Sequence, residues 1–320
     1  MSVSNDVVRR PGDSNTSGRV DPFDGMVEKP GVAKPDPILV ADGLTRRFGG
    51  VTAVDVDHLE IQRGAITGLI GPNGAGKTTL FNLLTAFDRA DTGVWTLNGV
   101  HIEELSAHRI ARTGLVRTFQ LTKALAKLTV MENMKLGATD QEGERFFRAL
   151  FRGVWRNTEA EIEARAQALL DRFNLADMRN EYAGTLSGGQ RKLLEMARAL
   201  MVRPELLMLD EPMAGVNPVL AQSIMGHMQE LRDEGLTVVF VEHDMDVVRT
   251  VSDWVVVMAE GRIVTEGSHA SCVANREVID AYLGAHHETP LDQGRQGRRL
   301  EDADPAIDME DRQPAEREPR

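Results

Sequence analysis

One short string constrains the fold of this chain more than any other feature. Residues 71–78, GPNGAGKT, match the pattern G-x-x-x-x-G-K-[ST] in full. The apolar run Ala65–Gly71 leads into the string, and the helical pattern Thr78–Phe87 follows it. Glycines at these positions let the backbone bend so that successive N–H groups point inward, and the helix start adds its positive dipole end. The string therefore predicts a strand–loop–helix unit that binds phosphate groups.

The side chains of this phosphate loop have separate predicted roles. Lys77 is expected to reach the β- and γ-phosphates of a nucleotide, and the Thr78 hydroxyl is expected to bind Mg²⁺. A glycine-rich turn with an incidental lysine is the alternative, and the strand before it and the helix after it disfavour that alternative. The predicted nucleotide-binding residues of the loop are Gly71, Pro72, Asn73, Gly74, Ala75, Gly76, Lys77, Thr78 and Thr79.

A second site with chemical potential ends another apolar strand. Leu206–Asp210 is followed at once by Glu211. Asp210 can hold a metal ion through water, and Glu211 can orient and polarise an attacking water. A buried strand that ends in Asp-Glu is common by itself, so its weight comes from the combination with a complete phosphate loop. Together the two sites predict only a P-loop nucleoside triphosphatase, with Mg²⁺ held by Thr78 and Asp210.

Strand-like and helix-like segments alternate along the chain and set the fold class. Leu206–Asp210, Thr237–Glu242 and Trp254–Met258 repeat the buried character of the strand before the phosphate loop. This alternation predicts an α/β fold whose mostly parallel sheet is connected by crossover helices. Strands of a flanking antiparallel β subdomain are predicted around Val54, Val56, Leu59, Ile61 and Gly93–Gly99.

A helical subdomain is predicted to interrupt the α/β pattern at about residues 121–186. Within it, Thr158 and Glu161 form a T-x-x-E capping box, and apolar residues follow at helical spacing. The nucleotide-binding domain is expected to span residues 38–286. The flanking residues 1–37 and 287–320 have no sustained apolar periodicity, and their composition predicts disordered tails, the C-terminal one acidic.

Composition excludes several classes of function. The formal net charge of −12 argues against nonspecific nucleic-acid binding, which requires Lys and Arg to neutralise phosphates, although much of the acidic excess lies after Leu300. No apolar run approaches the roughly 20 residues of a membrane-spanning helix. The polar stretch Met1–Arg10 lacks the apolar region of a secretory signal. The single cysteine, Cys272, excludes a disulfide within the chain and fits a reducing cytosol.

The string LSGGQ at Leu186–Gln190 is consistent with two interpretations at once. Ser187 and Gln190 satisfy an S-x-x-Q capping box for the helix that follows. A capped helix N-terminus with two small residues, Gly188 and Gly189, is also a surface that binds phosphate. Capping alone does not explain the complete string together with the other sites.

With these strings the chain resembles the nucleotide-binding subunits of ABC transporters, for which LSGGQ is the signature motif. Further motifs of that family occur in order: Phe48 in RRFGG, Gln120 in RTFQ and His243 in VEHDM. The resemblance covers about residues 38–286. It implies that Phe48 stacks on adenine, that Gln120 serves the metal and catalysis, and that His243 contacts the γ-phosphate. It also implies that Ser187–Gln190 bind ATP.

Simpler explanations exist for some of these residues. Phe48 could be an ordinary core aromatic, Gln120 a surface residue at a strand end, and His243 a structural histidine. Their order along the chain favours the functional roles. Asn217 in GVNP stands where many members of the family carry aspartate, and it could cap the helix that opens at Pro218.

The resemblance implies a working assembly. Two ATPases, either two copies of this chain or this chain and a similar subunit, would lie head to tail. Each ATP would then lie between the phosphate loop of one and Ser187–Gln190 of the other. The expected partners are two membrane permeases and, indirectly, a solute-binding protein, with no nucleic acid. The chain would be a peripheral protein on the cytoplasmic face of the cell membrane.

Longer strings indicate the subfamily. FGGVTAVDV, VRTFQ, AGVNP, VEHDM and EVIDAYLG are together similar to the ATPases of branched-chain amino acid importers. Importers of the urea or amide type and ABC ATPases without a transport role are the alternatives. The segment Arg145–Trp155 mixes aromatic and basic residues at helical spacing, and it is either a surface that meets the permeases or membrane, or an amphipathic helix packed on its own domain.

Overall fold

A computed structural model describes residues 21–118, 126–138 and 152–284 of the chain, where ten strands form two sheets. In chain order the strands are β1 (Pro37–Phe48), β2 (Val51–Gln62), β3 (Ile66–Ile70), β4 (Thr92–Leu97), β5 (Val100–His101), β6 (Leu115–Arg117), β7 (Leu206–Asp210), β8 (Thr237–Val241), β9 (Trp254–Ala259) and β10 (Arg262–Gly267).

Helices connect the strands and fill the segment between β6 and β7. They are α1 (Lys77–Leu84), α2 (Ala107–Arg112), α3 (Val130–Leu136), α4 (Arg152–Arg172), α5 (Gly188–Leu200), α6 (Pro218–Asp233), α7 (Met245–Val251), α8 (His269–Ala274) and α9 (Arg276–Gly284). Among the helices in the described ranges, none combines the length and the apolar character needed to cross a membrane.

The larger sheet carries the predicted sites at one edge. Its strand order is β10-β9-β3-β8-β7-β6, and every neighbouring pair is parallel except β10 and β9. The smaller sheet is antiparallel, in the order β2-β1-β4-β5. This arrangement confirms the predicted α/β fold with a flanking antiparallel sheet. Because β3, β7 and β8 are parallel neighbours, the segments that follow them emerge at the same edge of the sheet.

Alternating side chains bury both faces of the larger sheet. Ile66 and Ile70 of β3 and Leu207 of β7 pack in one apolar layer with the helices α3 to α6. Leu69 and Met208 point the other way, into a layer shared with α1 and the antiparallel sheet. A strand covered on both sides has no polar face, which explains why these strands are continuous apolar runs in the sequence.

The helical segment between β6 and β7 differs in one detail from its prediction. Helix α4 begins at Arg152, so Thr158 lies inside the helix and the capping box predicted there is wrong. A capping box instead starts α3, where Thr129 N donates to Glu132 Oε2 at 2.7 Å and Glu132 N donates to Thr129 Oγ1 at 3.2 Å. A T-x-x-E string caps a helix only where the preceding residues leave the helix, and those before Thr158 do not. Most of the segment Arg145–Trp155 lies outside the described residues.

The N-terminal segment 21–36 packs against the sheet, although its composition predicted a disordered tail. The Phe23 ring stacks on Trp254 with 4.6 Å between centroids. Lys34 Nζ lies 2.6 Å from Glu266 Oε2, and both side chains are buried. Glu266 also accepts from Val32 N at 3.0 Å and from Trp254 Nε1 at 2.9 Å. Few residues of this polar segment are buried, so composition could not reveal these contacts. Residues 1–20 and 285–320 lie outside the described residues.

Replacing Lys34 by methionine should destabilise the fold. The variant leaves the Glu266 carboxylate buried without its cation, and breaking a buried ion pair from one side costs about 3–5 kcal/mol. We expect the free energy of unfolding, measured by urea denaturation, to fall by roughly 3 kcal/mol because the two N–H donors to Glu266 remain. Lys29→Met, at an exposed position of the same segment, is the control. Equal stability of the two variants would contradict the role given to Lys34.

The single cysteine should be unreactive in the folded chain. Cys272 is fully buried, and this burial raises the pKa of its thiol to about 12. The nucleophile is the thiolate, which an exposed cysteine forms at a pKa of about 8.5. At about pH 8, iodoacetamide should therefore alkylate the chain rapidly in urea and very slowly in buffer, as followed by mass spectrometry. Similar rates in the two conditions would show that Cys272 is accessible.

Candidate functional site

The phosphate loop joins β3 to α1 at the carboxyl edge of the larger sheet. Gly71 and Gly76 have φ angles of 150° and 97°, in the region that favours glycine. A Cβ at Gly71 would clash with the carbonyl oxygen of Met258, and one at Gly76 would clash with that of Ala53. Both positions therefore require glycine, for backbone direction and for close approach. The helix starts at Lys77, so its unpaired N–H groups lie at the end of the loop.

Lys77 lies across the loop that it follows. Its Nζ donates to Gly71 O at 2.7 Å and to Pro72 O at 2.9 Å, and the residue is buried. Burial lowers the pKa of Lys77, while the negative charges of Glu211 and Asp210 oppose that effect. The lysine is therefore held at the loop and within electrostatic reach of both acidic residues. Of the remaining loop residues, Asn73, Gly74 and Thr78 are exposed, Pro72 and Thr79 are half-buried, and Ala75 is buried.

The two acidic residues at the end of β7, Asp210 and Glu211, contact different partners. Asp210 Oδ2 accepts from Arg117 Nη2 at 2.6 Å, in an ion pair whose side chains are 16% and 6% exposed. Glu211 Oε1 lies 2.8 Å from His243 Nε2, and these side chains are 32% and 45% exposed. The residue nearer the sheet is thus held by a buried cation, and the next one faces solvent beside a histidine.

Neighbouring parallel strands bring Glu211 and His243 together. Asp210 lies opposite Val241 in the register of β7 and β8, and Glu211 N donates to Val241 O at 3.0 Å. Glu211 has a φ of 47°, a left-handed conformation that is strained for a residue other than glycine. Lys192 Nζ donates to Glu211 O at 3.0 Å and helps to hold this turn. A carboxylate and an imidazole in contact can orient a water molecule and accept a proton from it.

Glu242 has a supporting role that was not predicted from the sequence. It lies between β8 and His243 and is buried. Its carboxylate accepts from Met213 N at 2.8 Å and from His243 N at 3.3 Å. Burial raises the pKa of Glu242, and the two backbone donors oppose that effect. Glu242 therefore ties the loop after β7 to the loop that carries His243, and its place in VEHDM was the only clue in the sequence.

The string LSGGQ forms a capped start to α5, as the sequence predicts. Gln190 N donates to Ser187 Oγ at 3.2 Å, and Ser187 N donates to Gln190 Oε1 at 2.9 Å. Ser187 and Gly188 are exposed, whereas Gly189 is buried, and a Cβ there would clash with Leu220. Among the hydrogen bonds of the described residues, none joins Ser187–Gln190 to the phosphate loop of the same chain.

Phe48 lies on the antiparallel sheet, whose strand β2 contacts the phosphate loop. It ends β1 opposite Val51, and Ala53, a little further along β2, contacts Gly76 of the loop. The Phe48 ring is 50% exposed, so it is not a core residue. The Arg46 guanidinium lies 4.7 Å from the centre of this ring. An exposed ring on the strand pair that contacts the phosphate loop is available for stacking on a planar ligand.

Gln120 lies outside the described residues. The strand before it, β6, ends at Arg117, and Thr118 N donates to Met208 O at 3.0 Å, so the chain enters this region alongside β7. Asn217 caps α6 as the sequence predicts: its side chain accepts from Leu220 N at 2.9 Å, and Pro218 is the first helical residue.

Comparison with known proteins identifies the family. Residues 54–214 match the family model described as ABC transporter. The chain belongs to the ABC transporter family. It is 41% identical over 250 residues to the high-affinity branched-chain amino acid transport ATP-binding protein BraF of Pseudomonas aeruginosa, covering 78% of this chain and 98% of that protein. It is 39% identical over 250 residues to the corresponding LivG protein of Escherichia coli, with the same coverage of 78% and 98%.

Solved structures of ABC transporter cassettes have the same fold. One, an ATP-binding cassette of an ABC transporter in its ADP conformation, has a TM-score of 0.68 and 36% sequence identity. The match covers 78% of this chain and 99% of that one. The chain is therefore an ABC ATPase that binds nucleotide and forms part of a transporter complex, as the resemblance implied.

Proposed function

We propose that this ABC ATPase powers an importer of branched-chain amino acids. The observation that carries the ATPase activity in this proposal is the contact of Glu211 with His243 at 2.8 Å, at the sheet edge where the phosphate loop emerges. The solute class comes from the relatives BraF and LivG, whose names specify branched-chain amino acid transport. The solute itself would be bound by other subunits.

The proposed hydrolytic roles follow from position and chemistry. The loop Gly71–Thr79 binds the phosphates, with Lys77 at the β- and γ-phosphates, and Phe48 stacks on the adenine. Glu211 orients and polarises the attacking water, while His243 contacts the γ-phosphate.

Magnesium fits the donor groups that the site offers. The Thr78 hydroxyl, the Asp210 carboxylate and the Gln120 amide are all oxygen donors, and Gln120 lies outside the described residues. Mg²⁺ prefers such oxygen ligands and usually combines one or two carboxylates with water and substrate phosphates. In this site the ion would neutralise charge on the phosphates as the terminal bond breaks.

A composite site between two ATPases would account for the exposure of Ser187 and Gly188 at the start of α5. A capped helix N-terminus attracts anions, yet this one makes no hydrogen bond to the described phosphate loop of its own chain. We propose that it binds the ATP held by the phosphate loop of a second ABC ATPase, either another copy or a related subunit, arranged head to tail. ATP would then join the two subunits, and hydrolysis would release them.

The remaining partners follow from the transport role. We propose that the dimer works on the cytoplasmic face of the cell membrane with two permease subunits, and indirectly with a solute-binding protein. Purification of the tagged chain from its native membranes, with mass spectrometry of co-purifying proteins, tests this. Two multi-span permeases and a second ATPase are expected, and uptake of leucine by the reconstituted complex should require ATP. Recovery of soluble proteins alone would overturn the transport role, and uptake of urea in place of leucine would overturn the solute class.

A further inference from the structure

A buried arginine outside the predicted set of site residues joins three elements of the site. Arg117 ends β6, and its side chain is 6% exposed. Its Nη2 donates to Asp210 Oδ2 at 2.6 Å, and its Nη1 donates to Asn82 Oδ1 at 2.6 Å. The guanidinium also lies 5.5 Å from the centre of the Phe81 ring. Asn82 and Phe81 belong to α1, the helix that begins at the end of the phosphate loop.

The planar guanidinium suits this position better than an ammonium would. It presents two donors side by side in a fixed geometry, so it can hold Asp210 and Asn82 at the same time. A lysine could make either contact as a point charge, but it could not fix the angle between them. Through Arg117 the phosphate-loop helix is therefore locked to the strand that ends in the acidic pair.

The ion pair with Arg117 uses one oxygen of the Asp210 carboxylate and leaves the other able to bind a different group. Asp210 Oδ2 is taken by Arg117, and no hydrogen bond among the described residues occupies Oδ1. Lys77 of the phosphate loop lies within electrostatic reach of Asp210. Fixing the Oδ2 side of a carboxylate also fixes the direction of its Oδ1, which is how a neighbouring hydrogen bond orients a metal ligand.

We propose that Arg117 is a positioning residue for Mg²⁺, acting through Asp210. It holds Asp210 so that Oδ1 meets a metal-bound water while Oδ2 stays on the guanidinium. The proposal rests on the proposed function, because it requires Asp210 to serve the metal. An ion pair that only stabilises the fold is the competing explanation. It predicts a less stable protein with the same dependence on Mg²⁺.

The experiment separates binding of the metal from binding of the nucleotide. Full-length protein is mixed with a fluorescent ATP analogue, and Mg²⁺ is titrated in; a parallel titration of the analogue is run in EDTA. For Arg117→Gln we expect the apparent affinity for Mg²⁺ to fall by about 10-fold or more. The affinity for the analogue in EDTA should change by less than about twofold. Arg117→Lys, which retains the charge but not the fork, should lie between the wild type and Arg117→Gln.

Arg172→Gln is the matched control, because Arg172 also makes two ion pairs, with Glu234 at 2.8 Å and Glu230 at 3.4 Å, away from the phosphate loop. The proposal is overturned if Arg117→Gln keeps the Mg²⁺ affinity of this control. The proposal is also overturned if the affinity of Arg117→Gln for the ATP analogue falls by the same factor with and without Mg²⁺. Should Arg117→Gln fail to fold, the Arg117→Lys titration decides by the same criteria. A wild type whose binding ignores Mg²⁺ would instead refute the metal site of the proposed function.

Discussion

Glu211→Gln should nearly abolish ATP hydrolysis while leaving ATP binding intact. The glutamine keeps the size of the side chain and can still accept a hydrogen bond from His243, so the geometry of the turn after β7 is preserved. It cannot take up a proton from water as a carboxylate can. Loss of a positioned general base lowers the rate by about 10²–10⁴-fold. Release of inorganic phosphate from ATP and Mg²⁺ measures the effect.

The same variant should also accumulate as an ATP-bound dimer. If ATP joins two subunits and only hydrolysis separates them, blocking hydrolysis traps the joined form. Size-exclusion chromatography should therefore show a dimer with ATP and a monomer with ADP. Glu234→Gln, which alters a carboxylate paired with Arg172 far from the phosphate loop, should behave as wild type. Hydrolysis at the wild-type rate in Glu211→Gln would refute the catalytic role of Glu211.

Local strings in the sequence were enough to predict the framework of the site. A glycine pattern between an apolar strand and a helix specifies a phosphate loop because every group involved lies within a short stretch of chain. The same holds for Asp210 and Glu211 at the end of β7 and for the capping box at Ser187. In each case the neighbours that determine the conformation are adjacent in sequence, so the pattern contains the physical cause.

Contacts between segments that are distant in sequence could not be predicted from such local patterns. Arg117 and Asp210 are 93 residues apart, and Lys34 and Glu266 are 232 residues apart. An arginine at the end of a short apolar strand is most often a solvated residue, and nothing near Arg117 in the sequence reveals that a carboxylate will lie against it. The N-terminal segment is a stronger example, since its mean composition is that of a disordered tail, while the partners of Phe23 and Lys34 lie far along the chain, at Trp254 in β9 and Glu266 in β10.

Lys77→Met should have the second large effect, and it should differ in kind from that of Glu211→Gln. The ammonium bridges Gly71 O and Pro72 O, so it both braces the loop and places a positive charge where phosphates bind. Methionine has a similar length and no charge. Loss of one preorganised charge-stabilising group costs about 10²–10³-fold in the rate of the chemical step. The affinity for ATP should fall as well, because the charge meets the phosphates in the ground state too.

The stability of Lys77→Met has to be measured as well, because a loss of ATP binding could also come from unfolding. Burial penalises the charged form of Lys77, so removing the charge relieves that penalty, while two loop carbonyls lose their donor. These effects oppose each other, and the urea midpoint of Lys77→Met should lie close to that of the wild type. Lys135→Met, which removes a half-exposed ion pair with Glu163, is the control for loss of a lysine. Weak ATP binding in a stably folded Lys77→Met, with no ATP-induced dimer, would place the phosphates at the loop. If Lys77→Met binds ATP as tightly as the wild type, the phosphates do not bind beside Lys77.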